Sequence, residues 1–147
     1  MSKQQTEQHK PKLGITIGDI NGIGPEVILK TFNDARLYNY CIPVVYGSNK
    51  ALNYYKKALD LNQLNYQTAK YYNDELEVAE KVLNVVNCWD ELVEINMGQP
   101  DETTGKYALA ALNDALTDLD RNMIDGLVTA PLNKATVKPD EGHFTGH

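Results

Sequence analysis

The stretch GITIGDINGIGPEVILK, from Gly14 to Lys30, constrains the fold more than any other part of the chain. Ile15 and Ile17, β-branched and flanked by Leu13 and Thr16, favour a short buried strand that Gly18 ends. Gly18, Gly22 and Gly24 permit backbone angles or close approaches that a Cβ would forbid. Pro25 suits the first position of a helix, where its missing N–H costs nothing, and Glu26 complements the positive end of the helix dipole. A strand that passes through a glycine loop into a helix is a unit of open α/β sheets, whose sites lie at the strand ends.

The spacing G-x3-G-x-G is neither the dinucleotide pattern G-x-G-x-x-G nor the P-loop, so neither phosphate mechanism transfers to it. Asp19 argues against a bare phosphate cradle, because a carboxylate at the loop entrance repels an anion unless a cation or hydroxyl stands between. Three roles remain open for it: metal ligand, hydroxyl acceptor, or brace of its own turn through backbone N–H groups.

The rest of the chain alternates. Val27, Ile28, Leu29 and Phe32 give a short amphipathic helix that runs out near Asn33 and Asp34. CIPVVYGS, from Cys41 to Ser48, reads as a strand buried on both faces, and Ser48 or Asn49 can cap a helix bearing Leu52, Tyr55, Ala58 and Leu59. From Asn62 to Glu80 the sequence is polar and Tyr-rich, consistent with a short strand and a loop. Val82 to Trp89 reads as a strand, and Glu91 to Ile95 as a further extended piece before Gly98 and Pro100 break the chain. Thr103 or Thr104 can cap a long helix with Tyr107, Ala108, Ala111, Leu112, Ala115, Leu116 and Leu119 facing inward. Asn122 and Gly126 flank the turn into a last strand, Leu127 to Thr129, that ends at Ala130 and Pro131. Strands alternating with helices predict a mainly parallel sheet with helices on both faces.

A chain of 147 residues can bury one ordinary core. The first dozen residues are polar and predict a disordered tail, leaving residues 13–147 as the folded α/β portion. Net charge of −6 without a basic cluster speaks against nucleic acid or an anionic membrane as partner, since both demand a concentrated positive surface. No apolar run is long enough to cross a bilayer, and a cytoplasmic protein is expected. Cys41 and Cys88 are too few and too distant for a disulfide framework and read as reduced, buried thiols.

GITIGDINGIGPEV is similar to the opening strand and loop of the 4-hydroxythreonine-4-phosphate dehydrogenase family of vitamin B6 biosynthesis, written T-x-G-D-P-x-G-I-G-P-E. Thr16, Gly18, Asp19, Gly22, Ile23, Gly24, Pro25 and Glu26 match, while Ile20 and Asn21 stand where the family has Pro and a small residue. A second segment, GLVTAPLNKATV, resembles the family's V-T-x-P-x-N/H-K, with Thr129, Pro131, Asn133 and Lys134 in the matching places. Asn133 and Lys134 after a strand end supply an amide and a mobile cation suited to a phosphate or carboxylate, although Lys134 alone also reads as a solvated surface lysine. FTGH, from Phe144 to His147, resembles the start of F-x-G-H-T-E, whose His binds substrate in the family. His143 beside His147 is a weak metal pair, and His9 belongs to the polar tail.

The resemblance implies an α/β fold of the isocitrate/isopropylmalate dehydrogenase type, present as an N-terminal fragment. It implies NAD-dependent, metal-assisted oxidation and decarboxylation of 4-(phosphooxy)-L-threonine to 3-amino-2-oxopropyl phosphate by a homodimer. His147 would hold this small phosphorylated hydroxy amino acid, Lys134 and Asn133 would assist, and Asp19, Gly22, Gly24 and Thr129 would shape the cleft or meet the cofactor. The histidines that hold the family's divalent metal (Zn, Mg or Co) lie beyond the last motif, so no metal ligand is assigned in this chain, and the chain alone is expected to be inactive. Two alternatives stand beside this one: a dehydrogenase of threonate or erythronate 4-phosphate, and a non-catalytic binding or dimerisation module.

Overall fold

The computed structural model describes residues 9–137. His143, His147 and the segment containing them lie outside the described residues, as does most of the expected tail. His9, at the edge of that tail, is 80% exposed with Nε2 3.7 Å from Asp125 Oδ2.

Among the described residues seven strands and three α-helices follow in the order β1 (Lys12–Thr16), α1 (Gly24–Phe32), β2 (Ile42–Gly47), α2 (Asn49–Ala58), β3 (Tyr66–Thr68), β4 (Lys70–Tyr72), β5 (Glu75–Glu77), β6 (Leu83–Asn87), α3 (Glu102–Asp120) and β7 (Gly126–Thr129). Short 3-10 turns occupy Ala35–Asn39 and Lys134–Thr136. The main sheet has five strands in the order β3-β6-β2-β1-β7, with every pairing parallel. β4 and β5 form a separate antiparallel hairpin. No helix of the described residues is long and apolar enough to cross a membrane.

The lateral path of the chain decides which face each helix covers. From β1 the chain moves to β2 and on towards β3, whereas α3 carries it back across the sheet to β7 on the far side of β1. Right-handed crossovers in opposite directions place their helices on opposite faces. Accordingly α1 packs with α2, while α3 packs on β1, β2 and β7. Ile17 and Gly47 face one layer, Gly14 and Tyr46 the other. A Cβ on Gly47 would meet the Ile17 side chain at 2.9 Å, and one on Gly14 would come within 3.2 Å of the Tyr46 ring. β2 is buried along its whole length between the two layers.

Three local expectations are corrected. Asp101, and not Thr103 or Thr104, caps α3, its carboxylate accepting from Thr103 N at 2.9 Å. Leu116, expected to face inward, is 46% exposed, while Asp118 is 3% exposed. The cause is a pair of phenols: Tyr46 and Tyr71 both donate to Asp118 Oδ2, at 2.7 and 2.6 Å, and turn the buried stripe of α3 to Thr104, Ala108, Ala111, Ala115 and Asp118. Glu91 to Ile95 joins no sheet.

Candidate functional site

The strand order reverses direction at β1, and in a parallel sheet the crevice at the carboxyl ends of such strands is where ligands bind. The loop after β1 and the segment after β7 meet at that edge. Ala130 N donates to Thr16 O at 3.3 Å and Asp19 N to Pro131 O at 3.1 Å, continuing the ladder beyond the two strands. Gly18 is required at this junction: its φ is +74°, and a Cβ would sit 2.5 Å from Pro131 O. The two segments singled out in the sequence therefore lie side by side.

Within the first loop Asp19 is 8% exposed and its Oδ1 accepts the Asn21 N–H at 2.9 Å. Gly22 N closes the turn onto Asp19 O at 2.9 Å. Of the roles open to Asp19, the turn brace is the one these bonds describe. Tyr55 of α2 donates to Ile20 O at 2.6 Å, and burial pushes its phenol up to about 12, so it remains a neutral donor. The room beside Gly24 is taken by Ile17 O and the Ala130 Cβ, 2.6 and 2.9 Å from where its own Cβ would be. Gly24 thus serves close packing inside the protein. Gly22 has more room, its nearest neighbour being Asp19 O at 3.3 Å.

Asn21, which the local pattern did not single out, ties this loop to the segment before α3. Its side chain accepts from Asn96 N at 2.8 Å and donates to Gln99 O at 3.0 Å, and its carbonyl accepts from Gly98 N at 2.7 Å. Asn21 is 2% exposed, whereas its partners Asn96, Gly98 and Gln99 are exposed, so these bonds pin a surface segment to a buried side chain. Beyond Gln99 the chain enters the capped end of α3, where Trp89 and Tyr107 stack with ring centroids 4.7 Å apart.

The segment after β7 completes the edge. Thr129, in register with Thr16, stands at the strand end. Asn133 Oδ1 accepts from Ala135 N at 3.1 Å and so caps the 3-10 turn that carries Lys134. Thr136 is 3% exposed and its hydroxyl donates to Asn133 O at 2.8 Å. Asp19, Gly22, Gly24, Thr129, Asn133 and Lys134 are thus brought to one edge of the sheet. Cys41 and Cys88 are free, and burial raises both thiols above their usual range, which leaves them neutral and poor nucleophiles at physiological pH. Among the described residues no three His, Cys, Asp or Glu side chains gather where they could hold a metal ion.

The model of the pyridoxal phosphate biosynthetic protein PdxA family matches residues 39–147. The chain belongs to that family. A 4-hydroxythreonine-4-phosphate dehydrogenase of Bacteroides thetaiotaomicron is 45% identical over 141 residues, 96% of this chain and 38% of that protein. A protein of Oceanobacillus iheyensis named "Putative D-threonate 4-phosphate dehydrogenase" is 30% identical over 141 residues, 94% of this chain and 41% of its own length. The crystal structure of a 4-hydroxythreonine-4-phosphate dehydrogenase from Burkholderia phymatum superposes with a TM-score of 0.82 at 25% identity, covering 95% of this chain and 42% of that one. The chain thus spans about two fifths of the length of the curated relatives it matches. The parallel sheet and its two helical layers are those of the PdxA dehydrogenases, as the first motif implies.

Proposed function

We propose that this chain supplies one wall of a cleft that binds 4-(phosphooxy)-L-threonine, in a protein that oxidises it to 3-amino-2-oxopropyl phosphate with loss of CO2. The observation that carries the reading is the meeting of the Asp19 loop and the Lys134 turn at one carboxyl edge of the sheet, joined by the bond from Asp19 N to Pro131 O. Lys134 provides a cation for the phosphate or carboxylate, and Thr129 a hydroxyl at the same strand end. NAD, when bound, takes the hydride from the secondary alcohol. Gly24 faces protein atoms and offers no cradle to a dinucleotide. The described residues offer no metal ligand set, and no step is routed through an ion held by them. His147 is proposed as a further substrate ligand on its motif alone, and a homodimer in the cytoplasm as the working form.

D-Threonate 4-phosphate is the second candidate substrate, favoured by the name of the Oceanobacillus relative. The two compounds differ at the amine and share the phosphate. Calorimetric titration of the chain with each, beside Lys134→Ala, tests the reading. Binding of one compound that weakens at least about tenfold in the variant, a difference of roughly 1.4 kcal/mol, is expected. Equal binding by chain and variant would remove Lys134 from the site, and a turnover assay with NAD and a divalent metal tests the reaction itself.

A further inference from the structure

We infer that Gly105 is a positioning residue: it is the gap in α3 that seats the Lys134 turn, and through that seat it sets where the Lys134 ammonium stands against the Asp19 loop. The inference rests on the anion-binding reading of Lys134 given above.

Glycine inside a helix is unfavourable relative to alanine, so its place in the first turns of α3 calls for a reason. The reason lies across the contact. A Cβ at Gly105 would overlap the carbonyl oxygen of Thr136, lie 2.5 Å from its carbonyl carbon and stand 2.8 Å from its Oγ1. Two of these are backbone atoms, which cannot swing aside as a side-chain tip does. An ordinary carbon-to-oxygen contact is about 3.3 Å, so any side chain at this position drives the turn outward by about an ångström.

That displacement reaches Lys134 because the turn is internally fixed. Asn133 caps it through Ala135 N at 3.1 Å, the Thr136 hydroxyl bonds Asn133 O at 2.8 Å, and Thr136 N bonds the same carbonyl at 3.0 Å. Val137 N closes onto Lys134 O at 3.3 Å. On the upstream side Pro131 O is held by Asp19 N. With one end fastened to the loop and the other seated on α3, pushing at Thr136 tilts the residue between them. A misplacement of about an ångström at a binding group costs up to about a hundredfold where geometry is demanding.

The experiment compares the chain with Gly105→Ala, Thr136→Val, Lys134→Ala and Tyr71→Phe. Backbone amide signals and exchange rates of Ala135, Thr136 and Val137 are read by NMR, and inorganic phosphate is titrated through the range of roughly millimolar affinity. Tyr71→Phe loosens the far end of α3, by removing a bond to Asp118, without touching the turn. Gly105→Ala is expected to shift and speed exchange at Ala135 and Thr136 and to weaken phosphate at least about tenfold. Tyr71→Phe is expected to lower the melting temperature with those signals and that affinity unchanged. The inference is overturned if Gly105→Ala raises the melting temperature with the turn amides unmoved, or if Tyr71→Phe disturbs them as much. Should Gly105→Ala not fold, Thr136→Val reads the same coupling from the turn side, and unchanged phosphate affinity there overturns the inference. If the parent chain binds no phosphate, or Lys134→Ala binds it equally, the anion reading falls, and the amide exchange still decides for or against Gly105.

Discussion

Asn21 uses every polar group it carries. Its N–H, its carbonyl and both ends of its carboxamide are bonded, three of the four to the segment Asn96 to Gln99 and the fourth to Asp19. Replacing it by alanine removes the bonds to Asn96 N and Gln99 O, each worth about 1 kcal/mol net, so Asn21→Ala is expected to cost about 2 kcal/mol in urea denaturation. Limited proteolysis should cut near Gly98 first; an unchanged midpoint and an uncut loop would show that Asn96 to Gln99 holds itself. Nothing near Asn21 in sequence announces this role, since Asn96 lies 75 residues away. Asp19 was more legible: an acid two residues before an N–H in a glycine turn is a common brace, and one of its open roles was that one. At the opposite, exposed Asp34, the Arg36 side chain and then its backbone N–H hold the carboxyl at about 2, against an ordinary 3.8. A depressed carboxylate pKa stabilises the fold above the unfolded value, and that contribution disappears as pH falls from about 4 to about 2. Arg36→Gln should move the Asp34 titration, followed by NMR, up towards 3.8 without reaching it, because the backbone N–H at that position still donates. A titration that stays put would show that the guanidinium does not set it.

At the scale of elements α3 carries the most weight, because one end frames the site and the other holds the hairpin. Its Asp101 cap satisfies an N–H that the helix cannot satisfy itself, and Asp101→Ala is expected to cost about 1 kcal/mol in chemical denaturation. Because Thr104 Oγ1 also bonds Asp101 O at 2.7 Å, the loss should be accompanied by faster amide exchange over the first turn alone. Exchange spread evenly along α3 would contradict that local picture. The sequence points to Thr103 or Thr104 as the cap, and periodicity alone does not set the helix start back to Asp101. The rotation of α3 was illegible for a different reason. A carboxylate reads as solvated until its partners are known, and the phenols that bury Asp118 come from β2 and from β4 in the Tyr-rich stretch. Burial pushes both phenols above their usual range, with the Asp118 carboxylate adding to it, so they remain donors at any ordinary pH.

For the molecule as a whole, the alternation of strands and helices was written in the sequence, but the lateral order of the strands was not. β2 and β6 are buried on both faces, so their residues carry no mark of which neighbour lies to either side. That order matters energetically, because it makes one sheet the shared wall of two helical layers. Leu52 of α2 is fully buried in one layer, and Trp89 stacks on Tyr107 of α3 in the other. If the sheet couples the layers into one cooperative unit, a cavity made in the first must be felt by a probe in the second. Leu52→Ala is expected to cost about 3 kcal/mol, and for a domain of this length to lower the melting temperature by about 6–12 °C. Trp89, the single tryptophan, reports the far layer by fluorescence, while circular dichroism reports all the helices. Both signals should fall together by the same amount. A Trp89 transition that keeps its temperature while the dichroism melts early would mean that α1 and α2 unfold independently, and that the loop between β1 and α1 is held less firmly than the Lys134 turn it faces.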